Sequence, residues 1–147
     1  MAGIIIATDG SKHGTRAAEY GISLAKRMGE KVLAVYVINM KSLEMYAISH
    51  HDDISGYERE NMGLIKEGEN ILEQVASKCR ESGVDFSTRV LRGYPAEEII
   101  NLAGEENVEM IVVGSLGKTG LEHLLLGSVS EEVVKKSPCP VLVVRNG

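Results

Sequence analysis

The sequence predicts an α/β fold: a single doubly wound domain over 1–147, with a five-stranded parallel sheet and helices on both faces. Runs of consecutive apolar residues rich in Ile and Val are typical of parallel strands that are covered on both sides. Segments with helical spacing of apolar residues separate these runs, and this alternation indicates right-handed crossovers between strands. A chain of 147 residues is long enough for one domain with a full core.

Five segments are predicted strands. The four continuous apolar runs are "GIIIAT" (3–8), "KVLAVYVI" (31–38), "EMIVVG" (109–114) and "PVLVV" (140–144). The fifth, "VDFSTRVL" (84–91), alternates between apolar and polar residues. That alternation predicts an edge strand buried on one face only.

Helical spacing predicts four helices between the strands. Their ranges are 12–28, 58–82, 95–106 and 128–137. In the first helix, small residues such as Gly21 let the backbone pack closely against the sheet. Gly83 is a suitable C-cap for the second helix, and Pro95 is suited to the first turn of the third.

The segment 39–56 shows no clear period. We expect a long, partly mobile loop there, with a short helix around 41–48, because long loops in compact domains are usually functional or disordered. The "HHDD" run at 50–53 has the composition of a metal site. Four adjacent residues do not all converge on one ion, so a solvated loop is favoured.

The composition restricts the class of function. A net charge of −5 disfavours a general nucleic-acid-binding protein, but a small anion can still be held by backbone N–H groups. The start "MAGIIIATDG" has neither the basic residues of a signal peptide nor the length of a membrane span, so we expect a cytoplasmic protein without membrane contact. Cys79 and Cys139 are expected to be buried and lack a zinc-site spacing.

The stretch "GSLGKTG" (114–120) contains the letters of a P-loop. The P-loop pattern needs a further glycine five residues before Gly117. That position is Val112, inside an apolar run, where no anion-binding nest forms. The P-loop interpretation therefore fails on spacing.

Two other turns are better candidates for binding, since ligands of open α/β sheets bind beyond the carboxyl ends of strands. "ATDGS" (7–11) follows the first strand, and "GSLGKTG" follows the fourth. Gly127 and Ser128 then open the last helix, whose N–H groups and dipole favour an anion. Hydroxyls of Ser128 and Ser130 are suited to hydrogen bonds or to magnesium.

The spacing Gly114-x2-Gly117-x9-Gly127-Ser128 resembles the G-x2-G-x9-G-[ST] signature of the ATP-binding branch of the universal stress protein family. "IIIATDGS" is similar to the first strand and turn of that family, with Ala7 where the family has a proline-type residue. "RGYPAEEII" is similar to its G-x-P-x-x-x-I segment, and "SPCPVLVV" to its closing strand. The resemblance covers nearly the whole chain, apart from the segment 39–56.

The resemblance implies two groups of nucleotide contacts. Those expected near ribose and adenine, or lining the nucleotide, are Ala7, Thr8, Asp9, Val37, Val113 and Gly114. Those expected at the phosphates are Gly117, Gly127, Ser128, Val129 and Ser130. From the residues alone, capping the first helix is the favoured role of Asp9, and the glycines are suited to ordinary turns. Lys118 is left out, because a flexible surface lysine explains it as well.

The resemblance also implies a function: an ATP-binding, nucleotide-dependent switch in signalling or stress response, with AMP or ADP as other ligands and Mg²⁺ or Mn²⁺ as the ion. It implies a homodimer through the C-terminal strand, and a protein partner that stays unknown. We assign neither catalytic residues nor metal ligands. The alternatives are a slow ATP-hydrolysing or adenylyl-transferring enzyme using Asp9, Lys12 and His13, and an interaction module with an empty pocket.

Overall fold

A computed structural model describes residues 3–116 and 126–145. Its strands are β1 (Ile4–Ala7), β2 (Val32–Asn39), β3 (Phe86–Gly93), β4 (Met110–Gly114) and β5 (Val141–Val144). They form one sheet in the order β3-β2-β1-β4-β5, and every pair of neighbours is parallel. The predicted five-stranded parallel sheet is confirmed.

Helices cover both faces of the sheet. They are α1 (Lys12–Met28), α2 (Met40–Ser49), α3 (Ile54–Ser82), α4 (Pro95–Glu106) and α5 (Ser128–Lys136). Successive side chains of a strand point to opposite faces, so Ile4 and Ile6 pack with α1 and α3, whereas Ile5 packs with α4 and α5. The core therefore has two layers, one on each side of the sheet. No helix in the described ranges is both long enough and apolar enough to cross a membrane.

Small residues bring α1 close to the sheet, as predicted. A Cβ added at Gly21 would lie 2.8 Å from Cδ1 of Ile6, and real Cβ atoms do not approach that closely. Ala17 and Ala25 on the same helix are fully buried. Cys79 is also fully buried, as expected, but Cys139 is half-buried, because it lies in the turn before the edge strand β5.

The order of the strands places the two candidate turns side by side. Ile6 of β1 pairs with Val112 of β4, so both strands end at the same edge of the sheet. From β1 the chain builds β2 and β3 on one side, and β4 and β5 follow on the other. This reversal is the position at which open α/β sheets form a crevice for ligands.

The prediction of a long loop over 39–56 is wrong, whereas the short helix expected around 41–48 is confirmed. Helix α2 fills most of that segment, and α3 begins at Ile54, four residues before the start predicted at 58. Asn39 Oδ1 accepts the N–H of Lys41 at 3.0 Å, which caps α2. Leu43 is the one buried residue of α2, so its sequence has no apolar period to detect.

The prediction for 84–91 is correct in position and wrong in burial. β3 is an edge strand, but its apolar side chains reach both layers. Phe86 packs against the layer of α1 and α3, and Leu91 packs against the layer of α4. Val90 is 37% exposed although the alternation places it on the buried face. Because β3 is an edge strand with helices on both sides of it, each of its faces is partly covered and neither is buried throughout.

Candidate functional site

A cavity of about 400 Å³ opens at the carboxyl ends of β1, β2 and β4. Its volume is typical of sites for small molecules. The predicted site residues that line it are Ala7, Thr8, Asp9, Val37, Val113, Gly114, Gly127, Ser128, Val129 and Ser130. Gly117 and Lys118 lie outside the described residues. The structure thus brings the remaining predicted residues to one cavity.

The turn after β1 satisfies its own backbone with its side chains. Thr8 Oγ1 accepts the N–H of Gly10 at 3.2 Å, and Asp9 Oδ1 accepts the N–H of Ser11 at 2.9 Å. Ser11 Oγ then accepts the N–H of Gly14 at 3.1 Å, and this bond caps α1. Asp9 therefore fixes the turn and lines the cavity, whereas the cap of α1, one of the two roles considered for Asp9, is made by Ser11.

The N-terminus of α5 is built differently. Its N-cap residue is Gly127, which has no side chain to accept a bond from the first turn. The hydroxyl of Ser130 donates to the carbonyl oxygen of Gly114 at 2.6 Å, so its proton is already used. The backbone N–H groups of the first turn, which line the cavity with Ser128 and Val129, have no side-chain cap. Such N–H groups, together with the helix dipole, form an anion site.

Helix α4 also reaches the cavity with its N-terminal turn, through Pro95 and Ile99. Pro95 has no N–H to donate. Glu97 and Glu98 lie in the same turn and place negative charge against the positive end of the helix dipole. The first turn of α5 also carries one carboxylate, Glu131, and α4 also lacks a side-chain cap, so the two ends differ in the donor missing at Pro95 and in the second carboxylate of α4. The α5 end therefore favours an anion more than the α4 end does.

Sequence reasoning missed part of the lining. The additional residues are Gly14, Val35, Tyr36, Asn39, Ser42, Leu64, Pro95, Ile99 and Leu116. Asn39 shares a side of β2 with Val35 and Val37, so the period of two is the signal that could have identified it. Ser42 and Leu64 come from α2 and α3, which carry no recognisable motif.

Gly114 has a packing role in addition to its place in the lining. A Cβ added there would lie 2.8 Å from the backbone carbon and oxygen of His13. The first turn of α1 therefore touches the end of β4, and glycine is the residue that permits this contact. The absence of a side chain at Gly114 is explained by packing even before any ligand is considered.

Charged side chains are scarce in the cavity. Asp9 is the one charged residue in the described part of the lining. Nor do the described residues contain a group of three His, Cys, Asp or Glu placed to hold a metal ion. At the turn between α2 and α3, the N–H of Gly56 and the hydroxyl of Tyr46 hold the pKa of Asp53 below its usual range. That turn, which contains the "HHDD" run, is outside the cavity.

The model of the universal stress protein family matches residues 2–145. Universal stress protein MJ0531 of Methanocaldococcus jannaschii is 39% identical over 142 residues, which are 97% of this chain and 81% of that protein. The solved structure of MJ0577, from the same organism, is 30% identical with a TM-score of 0.84, covering 99% of this chain and 96% of that one.

Two further solved structures with the same fold contain nucleotides. A universal stress protein in complex with cAMP has a TM-score of 0.69 and 23% identity, over 99% of this chain and 98% of that one. A universal stress protein of Archaeoglobus fulgidus in complex with dAMP has a TM-score of 0.70 and 21% identity, over 97% of each chain. The match to the family model extends over nearly the whole length, and the chain belongs to the universal stress protein family.

Proposed function

We propose that the cavity binds an adenine nucleotide, with ATP as the main ligand and ADP or AMP as weaker ones. The observation that carries this proposal is the uncapped N-terminus of α5, which opens on the cavity beside the Asp9 turn. The glycine spacing of the ATP-binding branch and the nucleotide complexes of two proteins with this fold support it. The chain would then belong to the ATP-binding branch of its family.

The two ends of the cavity give the ligand a direction. Phosphates would lie at α5, where Gly127, Ser128 and Val129 present backbone N–H groups and the dipole favours negative charge. The base would lie against the apolar side chains of Val37 and Val113. The ribose would lie between these groups, within reach of Asp9, because a carboxylate is a suitable acceptor for sugar hydroxyls.

The residues present fit a nucleotide with Mg²⁺ or Mn²⁺ better than a metal site built by protein alone. Mg²⁺ keeps several waters and is commonly held by one or two carboxylates together with the phosphates of the ligand. Asp9 and the hydroxyl of Ser128 are the protein groups of the cavity suited to that role. The ion would supply charge neutralisation between the phosphates.

A binding role agrees better with the lining than catalysis does. Lys12 and His13, which the enzyme alternative requires, are not among the described lining residues. Hydrolysis at a useful rate generally needs a positioned base or a residue that orients water. We therefore propose a switch, in which occupancy of the cavity changes a surface that a protein partner recognises.

We also propose a homodimer through β5. This strand is at the edge of the sheet, and Val141, Leu142 and Val143 along it are half-buried. On the adjacent helix α5, Val129 and Val134 are 37% and 44% exposed. An apolar edge of this kind is normally paired or covered, and a two-fold axis pairs it with its own copy. Light scattering is expected to give twice the chain mass; a monomer at micromolar concentration would contradict the proposal.

The nucleotide proposal is tested on the purified protein. Mass spectrometry of the supernatant after denaturation is expected to show ATP or AMP. Calorimetric titration of nucleotide-free protein with ATP is expected to show one site per chain, with tighter binding when MgCl₂ is present. GTP, which carries the same charge as ATP, is the control ligand in this titration. The absence of both released nucleotide and ATP-dependent heat would overturn the proposal.

A further inference from the structure

One hydrogen bond joins the two helical layers above the carboxyl edge of the sheet. The hydroxyl of Tyr94, the N-cap residue of α4, donates to Glu44 Oε1 in α2 at 2.6 Å. α2 is anchored by Leu43 in the layer of α1 and α3, whereas α4 belongs to the opposite layer through Ile99. This bond, which we name the strap, thus passes from one face of the sheet to the other.

Both residues of the strap are close in sequence to residues that line the cavity. Ser42 lies two residues before Glu44, and Pro95 directly follows Tyr94; both line the cavity. α2 follows β2 and α4 follows β3, so the strap is on the β2–β3 side of the sheet. The uncapped N-terminus of α5 precedes β5 and is on the other side. The strap therefore closes the end that is remote from the anion site.

The hydrogen bond between Tyr94 and Glu44 forms readily but is weak enough to break reversibly. Glu44 raises the pKa of Tyr94, so the tyrosine keeps its proton and donates it to the carboxylate. Tyr94 is 48% exposed, and water therefore competes for both partners. Exposed hydrogen bonds of this kind contribute little net stability. Opening it requires the loss of one bond, while Leu43 keeps α2 attached to the core.

We propose that the strap between Tyr94 and Glu44 gates exchange of the nucleotide, by holding α2 against α4 over the base end of the cavity. The inference rests on the proposed function and adds a control element to that site. With the strap closed, a bound base is enclosed between the two layers. With it open, α2 and the start of α4 can separate, and the ligand leaves from its base end.

The test measures dissociation directly. Protein loaded with a fluorescent ATP analogue and MgCl₂ is mixed with excess unlabelled ATP in a stopped-flow instrument. Tyr94→Phe removes only the hydroxyl and is expected to raise the dissociation rate about three- to tenfold, as the loss of one exposed hydrogen bond allows. Tyr20→Phe is the matched control, because Tyr20 is also 48% exposed but lies on α1, away from the strap. It is expected to leave the rate unchanged.

A second pair of variants separates gating from a general loss of structure. Glu44→Ala is expected to match Tyr94→Phe, and the double variant is expected to dissociate no faster than either single one, because both remove the same bond. Glu44→Gln keeps an acceptor and is expected to lie between wild type and Glu44→Ala. Amide exchange of Met40–Ser49 is expected to slow on ATP loading in the wild type and to slow less in Tyr94→Phe.

The outcomes distinguish the two proposals. If the wild type binds ATP but Tyr94→Phe and Glu44→Ala dissociate at its rate, the strap does not gate exchange and the nucleotide site stands. The gating is also overturned if Tyr20→Phe accelerates dissociation as much as Tyr94→Phe, or if the effects of Tyr94 and Glu44 add. If the wild type binds no ATP, the nucleotide site is wrong and the gate is wrong with it.

Discussion

Among the helix N-termini that reach the cavity, those of α1 and α5 are built in opposite ways. That of α1 is closed by Ser11, whose hydroxyl accepts an N–H of its own helix, and is preceded by a turn that Thr8 and Asp9 satisfy internally. That of α5 begins at Gly127 and has no side-chain cap. An N-terminus with its donors already used stabilises the fold, whereas one without a cap keeps donors for a ligand.

The two termini are held together at Gly114. Its missing Cβ makes room for the backbone of His13 in α1, and its carbonyl oxygen accepts the hydroxyl of Ser130 in α5. Gly114 thus sets the distance between the N-terminus of α1, which Ser11 caps and which we call closed, and that of α5, which has no side-chain cap and which we call open. The difference between them teaches that a glycine of such a signature, here Gly114, can be required by packing alone.

The largest effect is expected when this junction is broken. Gly114→Val would push α1 away from β4, and overpacking against backbone is expected to cost about 2–3 kcal/mol of the free energy of unfolding. Urea denaturation measures it. Gly104→Ala in α4, where an added Cβ meets nothing within 4 Å, is the control and is expected to raise stability by up to about 1 kcal/mol. Equal stabilities of the two variants would contradict the packing role.

The open N-terminus is tested by Gly127→Val. A branched side chain at the N-cap would stand between the N–H groups of α5 and a phosphate. We expect ATP affinity to fall about tenfold or more, equivalent to about 1.4 kcal/mol. The free energy of unfolding should fall by about 1 kcal/mol or less, because valine is a poorer N-cap residue than glycine. Calorimetric titration measures the affinity. An unchanged dissociation constant would show that the phosphates bind elsewhere.

The closed N-terminus should give the opposite result. Ser11→Ala removes the cap of α1 and is expected to lower the free energy of unfolding by about 1 kcal/mol. ATP affinity should stay within about twofold, because that N–H is already bonded within the chain. Ser11→Asp restores an acceptor and is expected to recover most of the stability. A loss of affinity in Ser11→Ala without a loss of stability would reverse the assignment of the two termini.

The smallest effect is expected at a third N-terminus, that of α3. The N–H of Gly56 and the hydroxyl of Tyr46 lower the pKa of Asp53. A lowered pKa in the folded state means that this cap contributes stability above the unfolded pKa and loses it as pH falls through the folded value.

Protection of the amides around Gly56, measured as the observed exchange rate relative to the intrinsic rate at each pH, is therefore expected to fall below about pH 4, where an ordinary aspartate is protonated. Asp53→Asn, which carries no charge to titrate, should flatten this dependence. An equal loss of protection in both proteins would show that another group is responsible.

The sequence predicted what depends on local pattern. Runs such as that around Val35 identify strands that are covered on both faces, and Pro95 and Gly83 mark helix ends by their backbone preferences. The alternation that places Val37 at the cavity also places Asn39 there, although Asn39 was not among the predicted residues. Each of these signals is local: it depends on residues within a few positions of one another in the same strand or helix end.

What depends on contacts across the fold was not predicted. A short helix is expected around 41–48, but its place in the fold is not, because Leu43 is the one buried residue of α2 and no apolar stripe shows which layer the helix joins. Ser42 enters the cavity because α2 is a helix, and the strap exists because α2 and α4 approach from opposite layers. Burial along β3 depends on which helices pack over that edge of the sheet. The alternation of residues within the strand does not specify those helices.

The central position of β1 has a consequence for how the protein is made. Ile5 pairs with Leu33 on one side and with Ile111 on the other, so β1 gains its first neighbour early in synthesis and its second late. Contacts between residues this distant in sequence slow folding. Until the ribosome has released β4, an apolar strand has an unpaired edge that other nascent chains can join. Chaperone demand during translation is therefore expected to peak before Met110 emerges.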